Sequence, residues 1–298
     1  MAERFGGEII NCDSTAVYRG FDIGTDKVPF AERRGIAHHL IDIADPTDEY
    51  TAAQFARDAA AAVADIHARG KLPILVGGTG FYYRALTRGL FPGPGKDAGL
   101  RMRLERIAAK RGVERLHRLL ARIDPESAHR IQQRDLKRVV RALEVYFQTG
   151  KPLTAHFADT VSPLPPDVTI GAVALRMPAQ WLSERLARRV DEQFAAGLLD
   201  EIRALLASGV PPSARPFGGL VYRQAMELLQ GARDEPATRA LIAQENRKYA
   251  RRQLIWFRKE PNLEWFDGPG TNAEVQASVF RELTARDLLK DGRHVADT

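Results

Sequence analysis

The sequence predicts an α/β protein whose parallel strands are covered by helices on both faces, with an all-helical insertion in the middle of the chain. Three observations predict it. Glu8–Cys12 is a short apolar-centred run entered through Gly6-Gly7, the form of a buried strand that follows a helix end. A helical pattern and a second apolar run, Leu72–Val76, come next, and strand, helix, strand is the unit from which parallel sheets are built. Pro92–Gly95 is a Pro/Gly break, after which no strand pattern interrupts residues 94–168. The expected layout is an α/β core of 1–93 with 169–298 and a helical insertion of 94–168.

Composition narrows the function classes. The chain has 298 residues, 44% hydrophobic and 28% charged, enough to bury a sizeable core. Lys plus Arg number 44 against 38 acidic residues, a net charge of +6, which permits a polyanionic partner without requiring one. Cys12 stands alone, so an internal disulfide and a multi-cysteine zinc site are both excluded. It reads as a small buried strand residue rather than a nucleophile. No apolar run approaches the length of a membrane span, and Met1–Gly7 does not resemble a signal peptide, so a cytoplasmic protein is expected.

In chain order, Met1–Phe5 reads as the last turn of a helix stopped by Gly6-Gly7. Asp13 falls where the first strand ends, and in an open parallel sheet chemistry sits outside the carboxyl ends of strands. Asp13-Ser14-Thr15 is therefore a candidate reactive edge. An Asx turn, with Asp13 only capping its own backbone, accounts for the same residues. Thr51 and Gln54 form a capping-box pair, and Phe55, Ala59, Val63 and Ile66 recur at helical spacing until Gly70. Leu72–Val76 is continuous enough to be covered on both faces.

Gly77-Gly78-Thr79-Gly80 lies between that strand and a helix beginning near Phe81. Such a turn exposes backbone N–H groups to an anion at a helix N-terminus, although tight strand-to-helix turns also need glycine for steric reasons. In the insertion, Val113, Leu116, Leu119 and Leu120 mark one apolar stripe and Leu136, Val139, Val140, Leu143 and Phe147 another. Arg101, Arg103, Arg106, Lys110, Arg111, Lys137, Arg138 and Arg141 make it basic, with Glu105, Glu114 and Glu126 interspersed. On charge alone a solvated face and a phosphate-binding face fit equally. Thr169–Leu175 reads as a return to the core sheet, followed by a helix marked by Leu182, Leu186, Val190 and Phe194. Arg247–Lys259 interleaves cations with aromatics on a long helix whose basic edge can track a nucleic-acid backbone, and Leu263–Phe266 reads as a last short strand.

Asp13-Ser14-x-x-Val17-Tyr18-Arg19-Gly20-Phe21-Asp22-Ile23-Gly24-Thr25-x-Lys27, followed by His38-His39-Leu40-Ile41-Asp42 and Leu75–Gly80, resembles the tRNA dimethylallyltransferase family. The likeness continues through Arg138–Phe147, Arg189-Val190-Asp191, Tyr222-Arg223-Gln224 and Arg252–Arg258, nearly the whole chain in order. It implies a P-loop-kinase-like core. It also implies two substrates, dimethylallyl diphosphate and a tRNA anticodon stem-loop, a Mg²⁺ cofactor, a monomer, and transfer of the five-carbon group to the N6 amine of adenosine 37 in tRNAs reading codons that begin with U. Asp13 is the implied proton acceptor, and Arg189, otherwise a helix-surface arginine, is the implied diphosphate ligand and second catalytic residue. Asp13, Ser14, Thr15, Ala16, Thr79, Arg101, Lys137, Arg138, Val139, Val140, Arg141, Tyr222 and Arg223 are the implied tRNA-binding set. No metal ligand is assigned.

Three departures accompany the resemblance. Val221 stands before Tyr222 in place of glycine, and Ala16 where many relatives carry glutamine. The family's phosphate loop, of the Gly-x-Thr-x-Ser-Gly-Lys-Thr type, is not in this sequence. The expectation is that Met1 is not the natural start and that the functional protein begins about 25–30 residues earlier, the length of a strand, loop and helix. Two other functions fit parts of the pattern: a tRNA-binding relative without catalysis and a small-molecule kinase.

Overall fold

The computed structural model describes residues 1–286 and 288–289. It divides into two compact units, Met1–Leu86 with Leu164–Thr298, and Thr87–Pro163. The first unit opens with α1 (Ala2–Phe5), stopped by Gly6 at φ 61°, then β1 (Gly7–Asn11) and the two-residue strand β2 (His38–His39). Helix α2 (Ala52–Ala68) follows, with both halves of the Thr51/Gln54 capping box formed, then β3 (Leu72–Val76) and α3 (Gly80–Thr87). β1 is the central strand, parallel to β2 through Ile9↔His38 and to β3 from Gly7↔Leu72 to Asn11↔Val76.

Side chains alternate across β3, and the two faces feed different cores. Leu75, with Ile10 of β1, packs against Phe55, Val63 and Ile66 of α2. Leu72 joins Phe5 of α1 in a second cluster. Cover on both faces, expected of β3, is found instead for β1; β3 is half-buried and Val76, at its end, is 50% exposed.

The second unit, residues 87–163, holds α4 (Ala98–Arg111), α5 (Val113–Ile123), α6 (Pro125–Arg130) and α7 (Leu136–Thr149). Its core is Leu104, Leu116, Leu120, Val139, Val140 and Leu143. Gly89, at φ 81°, lies against the Val161 carbonyl so closely that a Cβ would stand 1.9 Å from its oxygen. The two ends of the unit therefore run side by side, ahead of the Pro92–Gly95 break.

Glu144 is fully buried in that unit. It accepts hydrogen bonds from Arg101 (2.7 and 2.8 Å), Arg141 (2.6 Å) and the Asp97 N–H (2.8 Å). Burial pushes its carboxyl up, but these donors outweigh burial and hold it at about 2 instead of 4.5. The folded-state value is depressed, so this stabilisation is complete above the ordinary carboxylate range and is lost as pH falls from about 4.5 towards 2. Melting followed by circular dichroism is expected to drop by several degrees across that window. Glu144→Gln should lower the plateau at neutral pH and flatten the acid slope.

The chain returns to the first unit through β4 (Ala172–Arg176), α8 (Ala179–Ala195), α9 (Leu198–Ala207), α10 (Leu220–Leu229), α11 (Glu235–Phe257), β5 (Leu263–Asp267) and α12 (Ala273–Ala285). Residues 172–176 do not hydrogen-bond to β3; they form a separate parallel pair with β5, from Ala172↔Leu263 to Arg176↔Asp267. Helix α12 joins the pairs by packing rather than hydrogen bonds, because Val279 and Leu283 share one cluster with Leu72, Val173 and Phe266. On the other side, Phe21 packs edge-on against Phe217 and Tyr222, each at 4.9 Å, and ties the long loop after β1 to α10. No helix among the described residues is long and apolar enough to cross a membrane.

Candidate active site

Because β1 and β3 are adjacent and parallel, their carboxyl ends deliver Asp13-Ser14-Thr15 and Gly77–Gly80 to the same place. The approach is close. Cys12 N–H donates to Val76 O at 2.7 Å, Thr79 N–H donates to Cys12 O at 3.1 Å, and a Cβ on Gly77 would lie 2.4 Å from the Cys12 carbonyl. Ser14 N–H donates to Thr79 Oγ1 at 3.1 Å, and the Thr79 carbonyl receives the first N–H groups of α3. Glycine at position 77 is thus required by contact with another backbone, which cannot yield as a side chain can.

Asp13 divides its two oxygens between structure and surface. Oδ1 accepts from Thr15 N–H at 2.7 Å, Thr15 Oγ1 at 2.6 Å and Ala16 N–H at 3.4 Å. That is the Asx turn the sequence allowed. Oδ2 makes no hydrogen bond among the described residues, so a loop-locked, half-exposed carboxylate keeps one oxygen unused at the strand end. Asn11, 9% exposed, fixes the base of the turn: its Nδ2 donates to Leu40 O at 2.9 Å, and its Oδ1 accepts from Asp13 N–H at 3.2 Å. Leu40 and Asp42 take left-handed φ values of 61° and 56°, a strained choice for a branched side chain.

A second network holds residues 18–27. Lys27, its side chain 4% exposed, donates to Tyr18 O (2.5 Å), Asp22 (2.7 Å) and Asp42 (2.5 Å). Glu201 of α9 accepts from the Asp22 and Ile23 N–H groups at 3.0 and 2.8 Å and from the Tyr222 hydroxyl at 2.5 Å. That hydroxyl in turn accepts from Gly24 N–H at 3.0 Å. Burial, then the charge of Glu201, pushes the Tyr222 phenol far up, so it stays a donor.

The sequence-derived residues fall into separate groups. Asp13, Ser14, Thr15 and Thr79 come together, with Ala16 buried behind them. Arg223 is exposed on α10, but Tyr222 is 2% exposed and its hydroxyl is consumed inside the fold. Arg189 Nε stands 3.0 Å from Asp26 Oδ2, an ion pair without hydrogen-bond geometry. Within the helical unit Lys137 and Arg138 are exposed, while Arg101 and Arg141 hold Glu144. Val139 and Val140 are core residues at 0% and 3% exposure, because a 3.6-residue period cannot turn five successive side chains outward. Sequence reasoning missed Asn11, Glu201 and, on α11, Tyr249 and Gln253. Only the last two carried a signal, a spacing of four on the aromatic-basic helix.

A half-exposed strand-end carboxylate, tied to its loop through one oxygen, thus stands beside a glycine turn that starts a helix. Comparison with known proteins points to one family. The IPP transferase family model matches residues 16–260. A tRNA dimethylallyltransferase of Solibacter usitatus is 46% identical over 280 residues, covering 94% of this chain and 91% of the relative. One from Geobacter metallireducens is 43% identical over 285 residues, covering 94% and 90%. Among solved structures, the full-length tRNA isopentenylpyrophosphate transferase of Bacillus halodurans superposes with a TM-score of 0.68 at 35% identity, over 96% of this chain and 90% of that one. A eukaryotic dimethylallyltransferase acting on tRNA gives 0.75 at 26% identity, over 98% and 76%. The chain belongs to the IPP transferase family.

Proposed function

We propose that this chain transfers a dimethylallyl group from dimethylallyl diphosphate to the N6 amine of adenosine 37 in tRNAs reading codons that begin with U, giving N6-isopentenyladenosine and diphosphate. The observation that carries the reading is the divided carboxylate of Asp13 beside Thr79. An exocyclic adenine amine is a weak nucleophile because its lone pair is delocalised into the ring. Charge builds on its nitrogen as the C–N bond forms, and a positioned carboxylate takes the proton that is lost. Asp13 Oδ2 is that acceptor, while Oδ1 keeps the loop from moving as the charge changes. The base is extruded from its stack to reach a strand end, and the Ser14–Thr79 edge receives it.

Arg189 is the proposed diphosphate ligand, since a planar fork of donors matches phosphate oxygens; its Nε also pairs with Asp26 Oδ2 at 3.0 Å. No group of three or more His, Cys, Asp or Glu side chains converges among the described residues, so these side chains do not form a ready-made metal cage. Mg²⁺ takes few protein oxygens and keeps company with substrate phosphates, and we assign it to the incoming diphosphate, with no step routed through it.

The helical region 94–168 is the proposed tRNA-binding insertion, with Lys137 and Arg138 as its phosphate contacts and Arg101 and Arg141 held in place by Glu144. Tyr222 acts on the site through Gly24 rather than by touching RNA, and the enzyme works as a cytoplasmic monomer. The test is direct: protein purified from its source cells, dimethylallyl diphosphate and an unmodified anticodon stem-loop, followed by mass analysis of the nucleosides. The expected result is one prenylated adenosine per stem-loop, with binding that weakens steeply as salt rises. Salt-dependent binding without prenylation would leave only an RNA-binding role.

A further inference from the structure

Helix α11 runs one edge past the β3–α3 turn. Gln253 Nε2 donates to Gly78 O at 2.9 Å, and a Cβ on Gly78 would stand 2.2 Å from that nitrogen. Trp256 lies against Gly80, where a Cβ would be 2.1 Å from the ring. Both side chains are fixed against the turn. Trp256 is also covered by Arg84 at 4.4 Å, and the neighbouring Phe257 packs edge-on against Tyr83 at 5.8 Å.

Tyr249 occupies the same edge one turn earlier and differs from these aromatics. It is 40% exposed, and no other aromatic ring packs against it among the described residues. The Arg252 guanidinium stands over its ring at 5.6 Å. One turn before Gln253, it lies on the part of α11 that borders the Gly78–Thr79 turn, and burial, then the charge of Asp13, raises its phenol. A flat ring therefore borders the turn that carries Thr79, with a cation over it and two-fifths of the residue open. That is costly to leave in water and matches the π-face of a base.

We propose that Tyr249 is the platform on which the extruded adenine stacks while Asp13 takes the proton from its amine. The assignment rests on the function proposed above, that adenine is brought to Asp13. Base–aromatic stacking tolerates replacement by another ring but not by an aliphatic chain, and its loss weakens binding by roughly 10- to 100-fold.

The experiment uses an anticodon stem-loop carrying 2-aminopurine at the target position, whose fluorescence is high when the base is extruded and quenched when it stacks. With the parent protein, binding is expected to leave the probe quenched, and Tyr249→Phe to behave alike. Tyr249→Leu should give a bright bound probe and a KM for unsubstituted stem-loop raised roughly 10- to 100-fold, with a smaller change in kcat. Equal fluorescence and equal KM in the parent protein and the leucine variant, with prenylation intact in both, would overturn the platform alone. Failure of the parent protein to bind or prenylate the stem-loop would overturn the function and the platform together.

Discussion

Asp13→Asn is expected to lower kcat by roughly 10²- to 10⁴-fold with little change in stem-loop affinity or melting temperature. The asparagine carbonyl can accept from Thr15 N–H, Thr15 Oγ1 and Ala16 N–H as Oδ1 does now, so the turn survives. The second position becomes an amide that donates hydrogen bonds and takes no proton. Asp13→Ala removes both roles and should lose the turn as well, showing as weaker binding. Steady-state kinetics with binding measured in parallel separate the two. An asparagine variant within a few-fold of the parent rate would move the base elsewhere.

Glu201→Ala should be among the most damaging changes outside the reacting edge. One carboxylate satisfies Ile23 N–H, Asp22 N–H and the buried hydroxyl of Tyr222, which itself holds Gly24 N–H. Asp22 N–H can turn to water, while Ile23 N–H and the Tyr222 hydroxyl cannot easily do so. Two stranded groups cost about 2–4 kcal/mol, and the melting temperature should fall by roughly 5–10 °C. Glu201→Gln keeps an acceptor and should lose about half as much. Activity should fall in both variants, because the loop that runs on from Asp13–Thr15 through residues 22–24 is anchored here. An unchanged melting temperature in Glu201→Ala would show that water replaces the carboxylate.

Strands β1, β3, β4 and β5 were legible because each is a short apolar run between turn residues, and α2 because its capping box and apolar spacing agree. β2 was not: two histidines paired with Ile9 and Ile10 leave no periodic signal. Reading 169–175 as a return to the core sheet found the strand but not its partner, which is β5 rather than β1–β3, since an apolar run says that a strand is buried and not which neighbour it pairs with. At the site, Asp13 and Thr79 were readable as strand-end residues. The Asx turn that the sequence allowed for Asp13 is present through Oδ1. Burial was harder to read. Tyr222, Val139 and Val140 lie in motifs as contiguous letters, but whether a side chain reaches solvent is decided by packing against Glu201 or Leu143, far away or on the next turn. Glu201 had no local pattern at all.

The parallel pairing of the strands also sets the order in which the chain can fold. The strand ends that join Ser14 to Thr79 are 65 positions apart, and Arg176 meets Asp267 across 91. Neither contact forms until a long loop has closed, an entropic delay that nearby contacts do not face. The helices of 87–163 meet over shorter separations, α4 with α5, α5 with α6, and α7 with α4 and α5, as in the Arg101–Glu144 contact across 43 positions. They can therefore be complete while β1 and β3 are still searching for each other, and the reacting edge, which exists only once those strands are in register, is among the last features of the molecule to appear.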